Sequence, residues 1–287
     1  MTIRTVLTML EGDKTDVIDL AAVGQLVRNF PVHVDLLHVR RDWRNVMPMV
    51  GEGISADLID TVQRQVETEE SATAARCRDV FDRWRSGENI PEVEEAAASE
   101  QPSARMVDVT GNSGSIVATM GKMVDLVVLP APSLEDGDLS AAAEAAIYDT
   151  GRPVLFSPRK ELATMGKRVA VFWNDTAESS RAAKAVMPFL KQADMVQICS
   201  VDDDSVDAET LEAFAKSLAW YGITASVRMV EPDGRSAGEA LIDAAWEMEA
   251  DLIAMGAFSH SRLREMILGG VTRHILQVAG RPVLMMH

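Results

Sequence analysis

Cysteine is almost absent from this chain of 287 residues. The two cysteines, Cys77 and Cys199, lie far apart and form no pair or cluster with metal-ligand spacing, so we expect neither a disulfide framework nor a zinc site. Long apolar runs are lacking too, since none approaches the roughly 18 residues of a membrane helix. The N-terminus is an alternating, strand-like run without the pattern of a signal peptide. We therefore expect a cytoplasmic protein that contacts no membrane.

Positive charge is also scarce. Lysine and arginine number 28 against 44 aspartates and glutamates, which gives a formal net charge of -16 and a pI near 4.7. A surface that binds nucleic acid needs clustered lysine and arginine to neutralise phosphates. Nucleic acid is therefore excluded as an expected partner.

The catalytic motifs of related α/β enzymes are missing. The two Gly-Lys pairs, in Gly121–Met123 and Gly166–Arg168, lack the serine or threonine that completes a P-loop. Neither an SGGxDS loop nor a GxSxG nucleophile elbow occurs, and Ser113 in the nearest Ser-Gly run is best interpreted as a helix N-cap. We expect no enzyme, with nucleotide hydrolysis as the least favoured alternative.

The sequence does contain an internal repeat. Segment 124–132, VDLVVLPAP, leads to GRPVLF at 151–156, and segment 250–258, ADLIAMGAF, leads to GRPVLM at 280–285. A chain of this length and apolar content suits about two domains. The polar segment 157–166 joins the halves, so the predicted domains are residues 1–160 and 161–287.

Strand-length apolar runs alternate with helical patterns in the second half. The strand candidates are RVAVFW, MVQICSV, ASVRMV, DLIAMGA and PVLMM. Helices are expected between them, one at 177–193 and another opening with the capping box Ser236 to Glu239. Such strands predict a parallel, doubly wound sheet covered on both faces, with ligands at the carboxyl ends where the strand order reverses.

The first half has a similar pattern apart from a long, charged helical stretch at about residues 56–85. Most of it is expected to be a solvated surface. Its apolar positions that should pack against the domain are Val62, Val66, Val80, Phe81 and Trp84.

The loop after DLIAM carries the strongest indication of a binding site. Gly256 is expected to let the chain turn off the strand, and Gly269 and Gly270 to let backbone N–H groups approach an anion. Further donors in the loop are His260, Ser261, Arg262 and Thr272. The alternative is that the glycines only form turns and that the charged residues form a solvated surface.

With these residues the second half resembles the universal stress protein family, whose signature is G-x2-G-x9-G-(S/T). Gly256, Ser259 and Gly269 have the signature spacing, with Ser259 in place of the second glycine and Gly270 in place of the serine or threonine. The run VAVFWNDTAESS resembles the family's first strand and helix. The resemblance covers residues 167–287 well and residues 3–158 loosely.

The resemblance implies the fold of adenine nucleotide alpha-hydrolase-like domains, with five parallel strands each. It also implies that the second half binds ATP or another adenine nucleotide, with magnesium as an accompanying ion. The implied site comprises Asn174 and Asp175 near the adenine, Val201 against the base, and Gly256, Ser259, His260, Arg262, Gly269, Gly270, Val271 and Thr272 around the ribose and phosphates.

The first half is expected to have lost this loop, because Pro130 replaces the turn glycine and Glu135, Asp136 and Asp138 would repel phosphate. Family members typically dimerise through their last strands, so the tandem chain is expected to pair GRPVLF with GRPVLM as an intramolecular pseudo-dimer, or to form a homodimer. The implied function is stress-response regulation. The alternative is an interaction module of the same fold that binds no nucleotide.

Overall fold

The computed structural model of the chain describes residues 2–13, 15–46, 56–95, 98–132, 139–158, 160–202, 206–257 and 270–287. The first half contains β1 (Thr5–Met9), α1 (Asp16–Asp19), α2 (Ala21–Asn29), β2 (His33–Arg40), α3 (Trp43–Val46), α4 (Ala56–Glu88), β3 (Ser103–Thr110), α5 (Ser113–Gly121), β4 (Leu126–Pro130), α6 (Ala141–Asp149) and β5 (Val154–Ser157).

The second half contains β6 (Arg168–Phe172), α7 (Ala177–Leu190), β7 (Met195–Val201), α8 (Ala208–Leu218), a short 3-10 helix (Ala219–Tyr221), β8 (Ser226–Val230), α9 (Ala237–Glu247), β9 (Leu252–Gly256), α10 (Gly270–Val278) and β10 (Val283–Met286). The predicted alternation of five strands with four α-helices is confirmed among the described residues.

All ten strands form one sheet, in the order β3-β2-β1-β4-β5-β10-β9-β6-β7-β8. Pairing is parallel within each half. The halves meet through β5 and β10, which pair antiparallel with Val283 opposite Phe156 and Met285 opposite Val154. The expected pairing of GRPVLF with GRPVLM is therefore confirmed, and each half has the strand order of a doubly wound domain.

Helices cover both faces of the sheet, and each face has an apolar layer that extends across both halves. Successive strand residues point to opposite faces, so Val171 packs in one layer and Phe172 in the other. Phe30 of the first half and Phe189 of the second meet edge to face with ring centroids 5.2 Å apart. The two halves therefore share their apolar cores, in addition to the strand pair that joins them.

The repeat extends to an aspartate immediately before β4 and another immediately before β9. Asp125 accepts hydrogen bonds from the backbone N–H groups of Arg4 and Thr5, at 2.9 and 3.1 Å. Asp251 accepts them from the N–H groups of residues 166, 167 and 168, at 3.0, 3.2 and 2.8 Å. These carboxylates satisfy backbone donors that the parallel ladder leaves unpaired. They lie at the end of the sheet where β1 and β6 begin, opposite the carboxyl ends of these strands.

The predictions for two helix N-termini had different outcomes. Ser236 and Glu239 form the predicted capping box at α9, with Ser236 N–H donating to Glu239 at 2.8 Å. The N-cap prediction for Ser113 is wrong, because Ser113 is already the first residue of α5. Asn112 is the cap, and its side-chain oxygen accepts from Ser115 N–H at 2.9 Å.

The long helix of the first half is confirmed. Helix α4 has 33 residues and is therefore about 50 Å long at 1.5 Å per residue. Three of its predicted packing positions, Val66, Val80 and Phe81, are buried, while Trp84 packs partly buried against the same core. Within the described residues, no helix is long and apolar enough to cross a membrane.

Candidate functional site

The candidate site lies where the strand order of the second half reverses. The chain proceeds from β6 outward to β7 and β8, then returns to β9 and β10 on the other side of β6. The helices that follow β6 and β9 therefore lie on opposite faces, and a crevice opens between the carboxyl ends of these two strands. The turn after β6 lies on one side of the crevice, and Ala257, which follows β9, lies on the other.

Asn174 and Asp175 form the turn between β6 and α7, and both side chains are exposed. Asp175 has a left-handed backbone with φ of 52°, which aspartate tolerates better than most residues. The Asn174 side-chain oxygen accepts a hydrogen bond from the Thr176 hydroxyl at 2.8 Å. Its amide N–H groups make no hydrogen bond to any described residue, so they are available to a ligand.

Gly256 is the last residue of β9, where it pairs with Met286. Gly256 continues the strand without a positive φ, so the described residues show no turn there that only glycine could adopt. A glycine is required there by close approach. A Cβ at this position would lie 2.6 Å from the backbone nitrogen of Ser179 and 2.8 Å from the carbonyl carbon of Glu178. The first turn of α7 therefore rests directly on the end of β9.

The residue after Gly256 is held by the end of β10. Ala257 N–H donates to Met286 O at 2.8 Å, and Ala257 O accepts from the His287 ring Nδ1 at 3.0 Å. The His287 ring also meets Tyr148 of α6 edge to face, with centroids 5.1 Å apart. Tyr148 of the first half therefore contacts His287, and His287 in turn hydrogen-bonds Ala257, where the predicted loop begins.

Arg181 connects this point to α7. Its Nε donates to His287 O at 3.1 Å, and its Nη2 donates to Glu178 at 2.6 Å. Sequence reasoning missed Tyr148, Arg181 and His287. The predicted pairing of the last strands already placed β10 beside the other half, and that was the signal for Tyr148 and His287.

The remaining predicted site residues divide into two groups. Ser259, His260, Arg262 and Gly269 lie outside the described residues. Gly270 is the first described residue of α10, Val271 is exposed, and Thr272 is 5% exposed. Helix α10 packs closely on α9, since a Cβ at Gly238 would lie 3.5 Å from Val271 Cα.

Val201 and Trp173 lie at the carboxyl ends of β7 and β6, respectively. Val201 ends β7 and is 8% exposed, so it offers a small apolar surface next to the crevice. The Trp173 ring stacks on Phe214 of α8 with centroids 4.3 Å apart. Trp173 therefore packs against α8.

Protein groups fill the corresponding place in the first half. Asp16 is buried and accepts hydrogen bonds from Glu11 N–H at 2.9 Å and Gly12 N–H at 2.8 Å, just beyond β1. Helix α4 covers this turn, because a Cβ at Gly12 would lie 2.6 Å from Thr73 Cγ2. Burial raises the pKa of Asp16, although the two N–H groups act in the opposite direction. The backbone donors that a ligand would use are therefore already bound.

Comparison with known proteins agrees with this architecture. Residues 200–287 match the model of the Universal stress protein family. No curated protein matches the chain.

Among solved structures, a universal stress protein from Archaeoglobus fulgidus matches with a TM-score of 0.67 and 14% identity, over 98% of this chain and 97% of that one. A functionally unknown protein from Pseudomonas aeruginosa matches with a TM-score of 0.59 and 15% identity, over 99% of this chain and 92% of that one. A putative universal stress protein from Pseudomonas aeruginosa matches with a TM-score of 0.58 and 15% identity, over 99% of this chain and 93% of that one. The resemblance is therefore confirmed: residues 200–287 match the Universal stress protein family, and the whole chain has the fold of universal stress protein structures.

Proposed function

We propose that the second half binds ATP or another adenine nucleotide in the crevice between β6 and β9, and that the chain is a stress-response regulator without a catalytic step. The observation that carries this proposal is the reversal of strand order at β6 and β9, within the half that contains the family match. Crevices of this type are where open α/β sheets bind their ligands.

The groups around the crevice suit the parts of a nucleotide. The exposed amide of Asn174 can hydrogen-bond adenine, and the apolar side chain of Val201 can contact the face of the base. The described start of α10 can face phosphate, because the backbone N–H groups and the dipole of a helix N-terminus favour an anion. Magnesium would enter with the phosphates, as that ion is usually bound together with them.

The first test asks whether the purified protein carries a nucleotide. Heat denaturation followed by chromatography would identify adenine nucleotide that copurifies. Calorimetric titration with ATP and with AMP, each without and then with magnesium, would measure affinity. We expect micromolar binding, whereas no heat at millimolar nucleotide would refute the proposal.

Matched asparagine variants locate the binding. Asn174→Ala removes the free amide and should weaken ATP binding about tenfold, the loss expected for about 1.4 kcal/mol of hydrogen bonding. Asn29→Ala, in α2 of the first half, is the control because Asn29 has no side-chain hydrogen bond among the described residues. Equal affinity in both variants would place the nucleotide elsewhere.

The alternative function, an interaction module that binds no nucleotide, is favoured by one surface feature. Trp220, in the 3-10 helix after α8, is 91% exposed. Tryptophan is enriched in protein interfaces and costly to leave in water. If nucleotide titrations show no heat, Trp220→Ala should weaken the recovery of protein partners, which Asn174→Ala should leave unchanged.

A further inference from the structure

The two GRPVL repeats contain equivalent arginines with different environments. Arg152 Nε and Nη2 donate to the carbonyl of Lys122 after α5, at 3.2 and 2.9 Å. Aligned on Asp125 and Asp251, the equivalent carbonyl of the second half is that of Met248. That carbonyl is already bound by Arg168 Nε at 2.6 Å.

Arg281, the equivalent of Arg152, is consequently left without its carbonyl. Its Nε is buried and has no hydrogen-bond partner. No ion pair joins Arg281 to any described residue. A buried, unsatisfied donor on a charged group costs free energy comparable to a lost charged hydrogen bond, so this arginine can accept a partner that the described residues do not provide.

A second cation lies beside it. The Lys160 ammonium lies 3.4 Å from the position of a Cβ on Gly280, the residue before Arg281. Lys160 forms no ion pair with the described residues either. Burial and the charge of Arg281 both lower the pKa of Lys160, so the two cations affect each other. In a chain with a net charge of -16, two adjacent cations without a carboxylate are unexpected.

Strand pairing explains why these residues meet. Lys160 follows β5, and Gly280 and Arg281 precede β10. Because β5 and β10 are antiparallel, the end of one strand lies beside the start of the other. Lys160 and Arg281 lie at the end of the sheet where β6 and β9 begin, opposite the carboxyl ends of these strands. The two cations are therefore separate from the nucleotide crevice.

We propose that Lys160 and Arg281 form a binding site for a phosphate-type oxyanion at the junction of the two halves. The guanidinium can donate from Nε and Nη to two oxygens of one tetrahedral anion, and the ammonium adds a third, charge-assisted contact. Gly280 has φ of 51° and no side chain, which leaves room for the ammonium above the backbone. The bound anion links the segment after the first half to the last strand of the second.

The first test uses inorganic phosphate as the probe and the full chain. Thermal unfolding and calorimetry are compared in phosphate and in chloride at equal ionic strength, for the wild type, Lys160→Met and Arg281→Met. Methionine keeps an apolar stem and removes the charge. Lys167→Met is the matched control, because Lys167 is an exposed lysine in the same connecting region.

We expect the wild type to bind phosphate and the two variants to bind it at least tenfold more weakly, as about 1.4 kcal/mol of charge-assisted hydrogen bonding is lost. The control should keep the wild-type affinity. Without phosphate, both variants should melt at a higher temperature than the wild type, because a repulsive cation is gone. In phosphate, the wild type should melt at a higher temperature than either variant. No phosphate-specific stabilisation of the wild type, or unchanged binding in Arg281→Met, overturns the proposal.

Two further measurements test which groups of the protein and of the anion are recognised. Arg281→Lys keeps the charge but loses the paired donors, so its affinity should fall between those of the wild type and Arg281→Met. Glycerol 3-phosphate tests the source of the anion. Equal Arg281-dependent affinity for the ester and for phosphate identifies recognition of the phosphate group alone, and tighter binding of the ester identifies an organic phosphate.

Discussion

Replacing Gly256 by alanine tests the contact between the end of β9 and the start of α7. The new Cβ would lie 2.6 Å from Ser179 N and 2.8 Å from the carbonyl carbon of Glu178. Ordinary contacts of such atoms are about 3.5–4.0 Å, so the helix must move by roughly 1 Å. Both opposing atoms belong to the backbone, and a side-chain rotation therefore cannot relieve the clash.

The expected destabilisation follows from that movement. Overpacking of this kind costs about 1–3 kcal/mol, and the lower chain entropy of unfolded alanine returns roughly 0.4–1 kcal/mol. We expect a net loss of about 1–2 kcal/mol in the free energy of unfolding. The measurement is urea denaturation followed by circular dichroism, with nucleotide titration on the folded variant. Binding should weaken as well, because the start of α7 moves beside Asn174.

Gly87→Ala is the control for the general effect of adding a methyl group. Gly87 lies in α4 with no atom within 4 Å of an added Cβ, so alanine should stabilise the chain by about 0.5 kcal/mol. A Gly256→Ala protein with the urea midpoint of the wild type or a higher one would refute the close-approach argument.

Three further predictions concern a cap, a pH dependence and the loop anchor. Asn112→Ala should cost about 1 kcal/mol of stability by urea denaturation, while the neighbouring Ser113→Ala should cost much less, and equal losses would contradict the cap assignment. Hydrogen bonding to Arg40 lowers the pKa of Asp108, so its contribution is present above the ordinary pKa of 3.8 and is lost as pH falls through the folded value. Asp108→Asn should therefore be less stable than the wild type at pH 7, by under about 1 kcal/mol for a partly exposed pair, and this difference should shrink in acid titrations. His287→Ala removes the hydrogen bond to the carbonyl after β9 and should weaken nucleotide binding about fivefold by calorimetry, from about 1 kcal/mol; unchanged affinity would exclude a positioning role.

The repeat and the periodicity were sufficient to predict most of the fold. Apolar strand-length runs identified the strands of the second half, while the pairing of the two GRPVL segments was implied by the resemblance to the family. The strand prediction rests on local pattern and on the rule that parallel strands need covered faces. The N-cap at α5 failed, because serine and asparagine are both good caps and only the backbone path shows which residue precedes the first turn.

The candidate site was predictable in place but not in detail. The order of the strands locates the crevice, and the glycines after β9 indicate its edge. The reason for Gly256 could not be read from its position, since a turn and a close approach both select glycine. Tyr148 and His287 come from different halves, so no local pattern connects them.

The sequence by itself determined the α/β architecture of two similar halves, because periodicity and repetition are local properties of the chain, while the pairing of the last strands was implied by the family resemblance. Only the tertiary structure decided which arginine of the repeat finds a carbonyl and which donors of the first half are occupied by Asp16. Those outcomes depend on competition between groups that are distant in sequence. A hydrogen-bond acceptor taken by one side chain is lost to another, and that competition is settled only when the chain is folded.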